Sequence, residues 1–285
     1  PLARRTRRGR GLPPPAPPRP PATSHFAAAA LYIPSCTNRI FGTNSPKTGG
    51  PAAISPGRRE ALGGIAAALV EVSDRAGLPV WIPADLAGSC CGLPWSSKGY
   101  PTAHREKANE MVARLWRWSG EGELAVIVDA ASCTHALADP GEGVLSEENA
   151  ERLGSIEVLD SVAWAHDHLL GRLKIDRRVG SLAVHPPCAT RRMGLSAQLE
   201  LIAGALAEEV YLPPSATCCG FAGDRGITHP ELTAAATREQ ANELAGRSFD
   251  AYISANRTCE IGLSRATGAE YRSFLLLLEE LTRGG

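Results

Sequence analysis

The sequence lacks both a charge excess and a long apolar run. Its 30 Lys and Arg residues balance its 30 Asp and Glu residues, so we expect no bulk electrostatic attraction to nucleic acid or to an anionic membrane. Its longest apolar runs are Phe26 to Ile33 and Phe274 to Leu278. Both are far shorter than the roughly 20 residues that span a bilayer. We therefore expect no nucleic-acid partner and no transmembrane segment.

Cysteine is the residue type with the clearest pattern. The 285-residue chain has a composition typical of globular proteins, with 44% hydrophobic and 21% charged residues, and can bury a core without disulfides. Each half has a single cysteine, an adjacent pair and another single cysteine: Cys36, Cys90, Cys91 and Cys133, then Cys188, Cys218, Cys219 and Cys259. Adjacent cysteines form strained disulfides, and the basic start leads into a proline tract instead of a signal peptide's apolar core. We favour thiolate ligation over structural disulfides.

The cysteine order belongs to a longer internal repeat. Three stretches of the first half recur in the second in the same order, namely 34–39 at 186–191, 105–111 at 238–244 and 127–137 at 253–263. Such self-similarity indicates a duplicated architecture. We predict a first repeat over residues 31–175 and a second over 176–285.

Apolar strands alternate with amphipathic helices in both halves. The predicted strands cover 31–33, 78–82, 124–128, 182–184, 209–212 and 252–254. The predicted helices cover 59–75, 102–118, 158–170, 192–208, 230–245 and 273–282. This alternation predicts an α/β fold with a mainly parallel sheet flanked by helices in each repeat. Because each cysteine or cysteine pair follows a strand, we expect the thiols to converge at the carboxyl ends of the strands.

Residues 1–30 form a separate segment, rich in Arg and Pro, and no acidic residue appears before Glu60. We expect this segment to be disordered. It has the composition of an Arg-rich targeting peptide, but a linker or a truncated edge explains it more simply. The chain begins with Pro instead of Met, which suggests a fragment of something longer.

Thiolates bind zinc, copper(I) and iron–sulfur clusters. Intervals of tens of residues separate the thiols, unlike the close pairs of zinc knuckles and ferredoxins. Two adjacent thiolates serve two irons of one cluster more easily than one tetrahedral zinc. Helix N-termini after the cysteine loops would favour the ligating thiolate. Gly92, Gly220 and Gly223 would let backbone amides approach the inorganic sulfurs.

Four further residues are candidates to line the sites. His185 precedes Cys188 by three residues, and a satisfied structural histidine is the alternative. Asp224 and Arg225 follow the second Cys-Cys-Gly, where capping of the next helix is the alternative. Lys98 occupies a similar place in the first repeat, where its charge would offset thiolates. We assign no catalytic residue.

The tandem Cys…Cys-Cys-Gly…Cys pattern resembles the cysteine-rich CCG domain of iron–sulfur oxidoreductases. Heterodisulfide reductase subunits, glycolate oxidase iron–sulfur subunits and lactate-oxidising enzymes belong to this family. The strings at 90–100, 218–226 and 254–262 are most similar to the carboxyl-terminal region of FAD-linked, iron–sulfur D-lactate dehydrogenases. The resemblance covers residues 31 to 285.

The resemblance implies that all eight cysteines hold one or two iron–sulfur clusters of the four-iron, four-sulfide type. It also implies an FAD-binding oxidase domain or subunit and a ferredoxin-like domain as partners, with FAD on the partner or on a missing upstream part. The expected activity is electron transfer from FAD to a quinone or cytochrome during oxidation of a 2-hydroxy acid. The expected location is the cytoplasm, free or at the inner face of the membrane.

The chain departs from the fullest CCG motif at one position of each repeat. That motif ends in Cys-x2-Cys, and Ala136 and Gly262 stand at its second cysteine. Four thiols per repeat suit a four-cysteine cluster and put a five-cysteine noncubane cluster in doubt. Two alternatives stay open: cluster chemistry on disulfides, as in heterodisulfide reductases, and a zinc-stabilised structural or docking module without redox activity.

Overall fold

A computed structural model describes residues 13–17, 19–43 and 64–284. Within these residues, two four-stranded sheets follow one another along the chain, and all their strand pairs are parallel. The strand orders are β2-β1-β3-β4 and β6-β5-β7-β8. The strands are β1 (Ala30–Ile33), β2 (Val80–Trp81), β3 (Val126–Val128), β4 (Val158–Asp160), β5 (Val179–His185), β6 (Ala207–Tyr211), β7 (Ala251–Ser254) and β8 (Tyr271–Ser273). The predicted α/β fold with two tandem parallel-sheet repeats is confirmed.

Helices connect the strands in both repeats. In the first repeat they are Cys36–Ile40, Gly64–Arg75, Leu93–Ser97, Pro101–Trp118, Ala131–Ala138, Glu147–Gly154 and Ser161–Ala163, the last continued by a π-helical turn Trp164–Leu169 and a 3₁₀ turn Leu170–Arg172. In the second repeat they are Cys188–Arg192, Ser196–Leu206, Arg225–Thr228, Pro230–Ala236, Arg238–Leu244, Arg257–Thr267 and Phe274–Thr282. We propose that the repeats meet near residue 175, between the last turn of the first and β5.

The long helix Pro101–Trp118 shows how the sequence sets these elements. Pro101 occupies its first turn, where a missing N–H costs nothing. Ala108, Met111 and Leu115 recur at helical spacing and are buried, so one stripe of the helix faces the protein interior. The opposite side of the helix, with Arg105 and Glu106, is exposed to solvent.

The two repeats share one hydrophobic core. Leu31 and Ile127 of the first sheet belong to the same buried cluster as Leu182 and Leu277 of the second repeat. The C-terminal helix Phe274–Thr282 packs against helix Gly64–Arg75. An ion pair joins these two helices, with Arg75 Nη2 lying 2.5 Å from Glu279 Oε1. The apolar C-terminal helix is therefore buried between the repeats.

Part of the N-terminal segment is folded onto the first repeat. Ala16 N donates to Ile40 O at 3.0 Å, and Gly42 N donates to Pro14 O at 2.7 Å. Further along, the Thr23 hydroxyl accepts a hydrogen bond from Ile82 N at 2.7 Å. Residues 13–17 and 19–30 thus depart from the expected disorder, because Pro14, Ala16 and Thr23 are hydrogen-bonded to the first repeat. Residues 1–12 and 18 lie outside the described residues.

Several predicted element boundaries need correction. The predicted helix over 158–170 begins with strand β4 and becomes helical only at Ser161. Strand β8 was not predicted. The predicted helix over 230–245 is two helices, because it is interrupted at Thr237. The predicted helix over 192–208 is observed as Ser196–Leu206, and β6 follows directly. For the predicted helix over 59–75, residues 59–63 lie outside the described part.

None of the helices in the described ranges combines the length and the apolar character that a membrane crossing requires.

Candidate functional site

Both sets of cysteines lie where the strand order of their sheet reverses. In the first sheet, β2 and β3 flank β1 on opposite sides, so a crevice opens between the carboxyl ends of β1 and β3. Cys36 begins the helix after β1, and Cys133 lies in the first turn of the helix after β3. Cys188 and Cys259 occupy the same places after β5 and β7. The duplicated topology therefore places two thiol sets at two equivalent crevices.

The first set, Cys36, Cys90, Cys91 and Cys133, lines one small cavity. Its thiols are linked by hydrogen bonds, because Cys90 contacts both Cys36 and Cys91, and Cys91 also contacts Cys133. Three of the thiols are half-buried and Cys91 is buried. The predicted convergence of four distant cysteines is what the described structure has in this repeat.

The second set, Cys188, Cys218, Cys219 and Cys259, is gathered in the same order. Cys188 is hydrogen-bonded to Cys218, and Cys219 Sγ lies 2.8 Å from Cys259 Sγ. Cys219 and Cys259 are buried, whereas Cys188 and Cys218 are exposed. The second set therefore reaches the surface through two of its thiols.

All eight cysteines are free thiols. Among the described residues, no three or more His, Cys, Asp or Glu side chains are grouped so that they could hold one metal ion. The four thiols of each set pair with one another instead. Their assignment as metal ligands stays a prediction.

Hydrogen bonds lower the pKa of one thiol in each set. The hydrogen bond from Cys36 lowers the pKa of Cys90, and the Gly92 amide and Arg39 act in the same direction. In the second set, the hydrogen bond from Cys188 lowers the pKa of Cys218 to about 5. The pKa values of the donors Cys36 and Cys188 rise, since each donates a hydrogen bond to its neighbour and this bond stabilises the protonated thiol. The first cysteine of each adjacent pair is thus the favoured thiolate.

A glycine after each adjacent pair brings a backbone amide to that thiol. Gly92 N lies 3.5 Å from Cys90 Sγ, and Gly220 N lies 3.4 Å from Cys218 Sγ. Both glycines have positive φ, +85° and +65°, which is costly for other residues. A Cβ on Gly220 would also lie 2.6 Å from Cβ of Ala236. The two amide contacts require glycine at both positions.

An arginine in each repeat holds the loop that carries the cysteine pair. Arg39 Nη2 donates to Ser89 O at 2.6 Å, and its Nη1 donates to Leu86 O at 3.3 Å. Arg191 Nη2 donates to Ala216 O, two residues before Cys218. The sequence interpretation did not assign these arginines. The sequence feature that could have indicated them is their shared position in the repeat, three residues after the first cysteine of each set.

A buried carboxylate fixes the loop that leads to Cys36. Asp129 Oδ1 accepts a hydrogen bond from Ser35 N at 2.7 Å, and its Oδ2 accepts one from the Tyr32 hydroxyl at 2.5 Å. The Asn38 amide also donates to the carbonyl oxygen of Asp129. Asp129, which the sequence interpretation missed, therefore ties the end of β3 to the residue before the first ligand candidate.

Three of the other predicted site residues meet at the contact between the repeats. Lys98 Nζ lies 2.7 Å from Asp224 Oδ2, and Arg225 Nη2 donates to Ser97 O at 2.8 Å. Both ion-pair side chains are exposed. Gly223 has a positive φ of +73°, and no atom lies within 4 Å of a Cβ built on it. Lys98, Asp224 and Arg225 thus join the loops behind the two cysteine pairs.

His185 is buried at the carboxyl end of β5. Its Nδ1 is 2.9 Å from Gln240 Oε1, and its Nε2 is buried and has no hydrogen-bond partner. Burial lowers the pKa of His185 to about 4, so the imidazole is neutral near pH 7.

Comparison with known proteins gives consistent matches. The model of the CCG cysteine-rich domain family matches residues 59–138 and 182–264. The chain is 26% identical over 220 residues to the glycolate oxidase iron–sulfur subunit of Escherichia coli (strain K12), covering 75% of this chain and 53% of that protein. It is 23% identical over 197 residues to lactate utilization protein A of Oceanobacillus iheyensis, covering 67% of this chain and 78% of that protein. The chain thus spans about half the length of the first relative.

A solved structure of glutamate racemase from Francisella tularensis subsp. tularensis SCHU S4, in complex with D-glutamate, also matches. It covers 89% of this chain and 78% of its own, with 13% sequence identity and a TM-score of 0.34. That likeness is too low to support a conclusion about this chain.

Proposed function

The chain belongs to the CCG cysteine-rich domain family, and from this premise we propose that it is an iron–sulfur electron-transfer module of a flavin-linked 2-hydroxy-acid dehydrogenase. The observation that supports this most is the gathering of four thiols at each of two equivalent strand-end crevices. Thiolates are the ligands that iron–sulfur clusters use. The two named relatives, an iron–sulfur subunit and a lactate utilization protein, support the same assignment.

The residues of each repeat suit a four-iron, four-sulfide cluster. Cys36, Cys90, Cys91 and Cys133 would hold one cluster, and Cys188, Cys218, Cys219 and Cys259 would hold the other. When bound, such a cluster accepts and donates single electrons. The chain's own residues supply thiolates that bind different metal atoms, and the Gly92 and Gly220 amides donate hydrogen bonds to Cys90 and Cys218. Arg39 and Arg191 fix the two cysteine loops and bring positive charge to them.

The partners follow from the same assignment. An FAD-binding oxidase domain or subunit would oxidise D-lactate, glycolate or a similar acid, and a ferredoxin-like domain would accompany it. Electrons would leave to a quinone or a cytochrome. We place the module in the cytoplasm, free or at the inner face of the membrane.

Metal and sulfide analysis tests the cofactor. We expect anaerobically purified protein to contain iron and acid-labile sulfide and to absorb visible light. Cys91→Ser and Cys219→Ser should each lose about half of the iron, and the double variant nearly all. Ser132→Ala removes a hydroxyl beside Cys133 but no thiol, so it should keep the full content. Zinc without sulfide in the wild-type protein would contradict the proposal.

Reduction experiments test the electron-transfer assignment. We expect D-lactate and glycolate alone to leave the visible spectrum of the loaded chain unchanged, because a flavin must oxidise the acid. Photoreduced free flavin should bleach the spectrum, and a water-soluble quinone should restore it. Direct bleaching by either acid would show that the chain oxidises the substrate itself, against its assignment as a relay.

A further inference from the structure

The two thiol sets differ at one position of the central strands. Ile33 ends β1 and pairs in register with Val128 of β3. His185 ends β5 and pairs in register with Ser254 of β7. Pro34 and Pro186 follow directly, and the first cysteine of each set stands two residues later. Ile33 and His185 are therefore structural equivalents in the duplicated fold.

The position of Ile33 shows where its equivalent faces. Ile33 lines the same cavity as all four thiols of the first set. Since side chains at one register position of equivalent parallel strands point to the same face of the sheet, the duplication places His185 on the face of its sheet that corresponds to the thiol side of the first repeat. The aliphatic side chain of Ile33 in the first repeat thus corresponds to an imidazole, with its nitrogen atoms, in the second.

The hydrogen bonds of His185 leave one nitrogen available. Gln240 presents its Oε1 to Nδ1 at 2.9 Å, so Nδ1 carries the ring proton and Nε2 carries a lone pair. Gln240 is held in turn, because its Nε2 donates to the Tyr271 hydroxyl at 3.3 Å. His185 is only 1% exposed, and its Nε2 has no partner in the described protein. A buried acceptor without a partner destabilises the folded protein.

This arrangement is typical of a metal-binding histidine. In such sites one ring nitrogen bonds the metal, and the other donates to a fixed acceptor that sets the tautomer and the ring orientation. Gln240, steadied by Tyr271, is that acceptor here. A purely structural histidine would gain nothing from an unpaired buried Nε2, and the isoleucine of the first repeat shows that the fold does not require a histidine.

We propose that Nε2 of His185 is a nitrogen ligand of the metal group of the second set, at an iron that one of the four thiols Cys188, Cys218, Cys219 and Cys259 would otherwise bind. This inference rests on the proposed function, because it needs a polynuclear iron group in the second repeat. A four-iron cluster takes one outer ligand at each iron, so the histidine would bind in place of one of the four thiolates. A neutral imidazole in place of a thiolate removes one negative charge, and such a replacement raises the reduction potential of iron–sulfur centres. The second set should therefore have the higher potential.

Pulsed electron paramagnetic resonance tests the ligand directly. The full chain, loaded with iron and sulfide and then reduced, is compared with the same protein carrying nitrogen-15 histidine. We expect a histidine nitrogen coupling that changes with the isotope and is strong enough for direct ligation. Loaded wild-type protein without such a coupling would overturn the histidine ligand and leave the proposed function intact. Wild-type protein without iron and sulfide would overturn both.

Variants assign the coupling to one residue. His185→Ile copies the first repeat and should abolish the coupling, lower the potential of one cluster and retain the iron. His104→Gln and His135→Gln alter histidines near the first set and should keep the coupling. If His185→Ile does not fold, Gln240→Leu keeps the imidazole but removes the partner of its Nδ1, and should weaken or reorient the coupling. A coupling that persists unchanged in His185→Ile or Gln240→Leu would contradict the proposal.

Discussion

Arg39 donates a hydrogen bond to the carbonyl oxygen of Ser89 across the first crevice, at 2.6 Å. The bond connects the helix that begins with Cys36 to the residue before Cys90. It therefore fixes the distance between two thiols that are far apart in the sequence. Arg191 makes a similar bond to Ala216 in the second repeat, one residue further from its cysteine pair, so both repeats hold the cysteine loop by an arginine.

We predict that Arg39→Gln loosens the first cysteine loop. A hydrogen bond from a charged donor contributes about 1.5–3 kcal/mol, so urea unfolding should show a loss of this order. Alkylation of Cys90 and Cys91 in metal-free protein, followed by mass spectrometry, should become faster. Arg105→Gln removes an exposed arginine and is the control. Equal alkylation rates in the two variants would show that Arg39 does not hold the loop.

Substitutions at two glycines of one loop distinguish the cost of backbone strain from the cost of a steric clash. Gly220 and Gly223 both have positive φ, but a Cβ would clash only at Gly220. Gly223→Ala should cost about 1–2 kcal/mol of unfolding free energy, the penalty for a left-handed residue. Gly220→Ala should cost about 1–3 kcal/mol more, because it also overpacks against Ala236. Equal losses in denaturant unfolding would refute the close approach.

The ion pair between Lys98 and Asp224 should contribute little to stability. Both side chains are exposed, by 40% and 49%, and exposed pairs typically contribute about 0–1 kcal/mol. A double-mutant cycle with Lys98→Ala and Asp224→Ala should give a coupling energy in that range. The coupling should shrink further in 1 M salt, at a Debye length of about 3 Å. A coupling energy of several kcal/mol would contradict this prediction and would mean that the ion pair stabilises the contact between the repeats.

Asp160 should give the protein a defined pH dependence. Burial raises its pKa to about 6, although Val162 N and the Thr134 hydroxyl donate to it. A raised folded pKa favours the protonated carboxyl, so this contribution to stability is full below about pH 4 and is lost as the pH rises to about 6. One pKa unit corresponds to about 1.4 kcal/mol, and the loss should therefore be roughly 3 kcal/mol.

Asp160→Asn tests this pH dependence, because the amide oxygen can still accept from Val162 N. The unfolding free energy of the wild type minus that of the variant should fall between about pH 4 and 6 and then level off. Asp176→Asn, which changes an exposed carboxylate at the start of the second repeat, is the control. A difference that rises with pH would contradict the sign of the shift.

The sequence predicted the convergence of the thiols because parallel sheets impose it. Once strands and helices alternate, residues after different strands must meet at one edge. The edge strands β4 and β8 were harder to predict. Each has only three residues and leads directly into a helix, so the apolar residues of Val158–Asp160 were indistinguishable from the start of the helix that follows.

The polar contacts of the residues around the thiols were not predicted either. Asp129 and Gln240 act through contacts with residues dozens of positions away, and a linear pattern carries no signal for such contacts. Lys98, Asp224 and Arg225 were expected to line the thiol sites, but the structure pairs them across the repeats. The pairing of these residues depends on how the two repeats pack against each other, which the sequence pattern does not give.

The C-terminal helix Phe274–Thr282 also bears on how the protein folds. It covers helix Gly64–Arg75, and the hydrogen bond from Arg75 to Glu279 spans 204 positions. Contacts between such distant positions form late in folding, because a long loop must close first. During synthesis, the apolar face of Gly64–Arg75 would stay exposed until the C-terminal helix has been made. Exposed apolar surface of this kind promotes aggregation. The repeats should therefore unfold as one cooperative unit, and a chain cut between them should need its missing half to become stable.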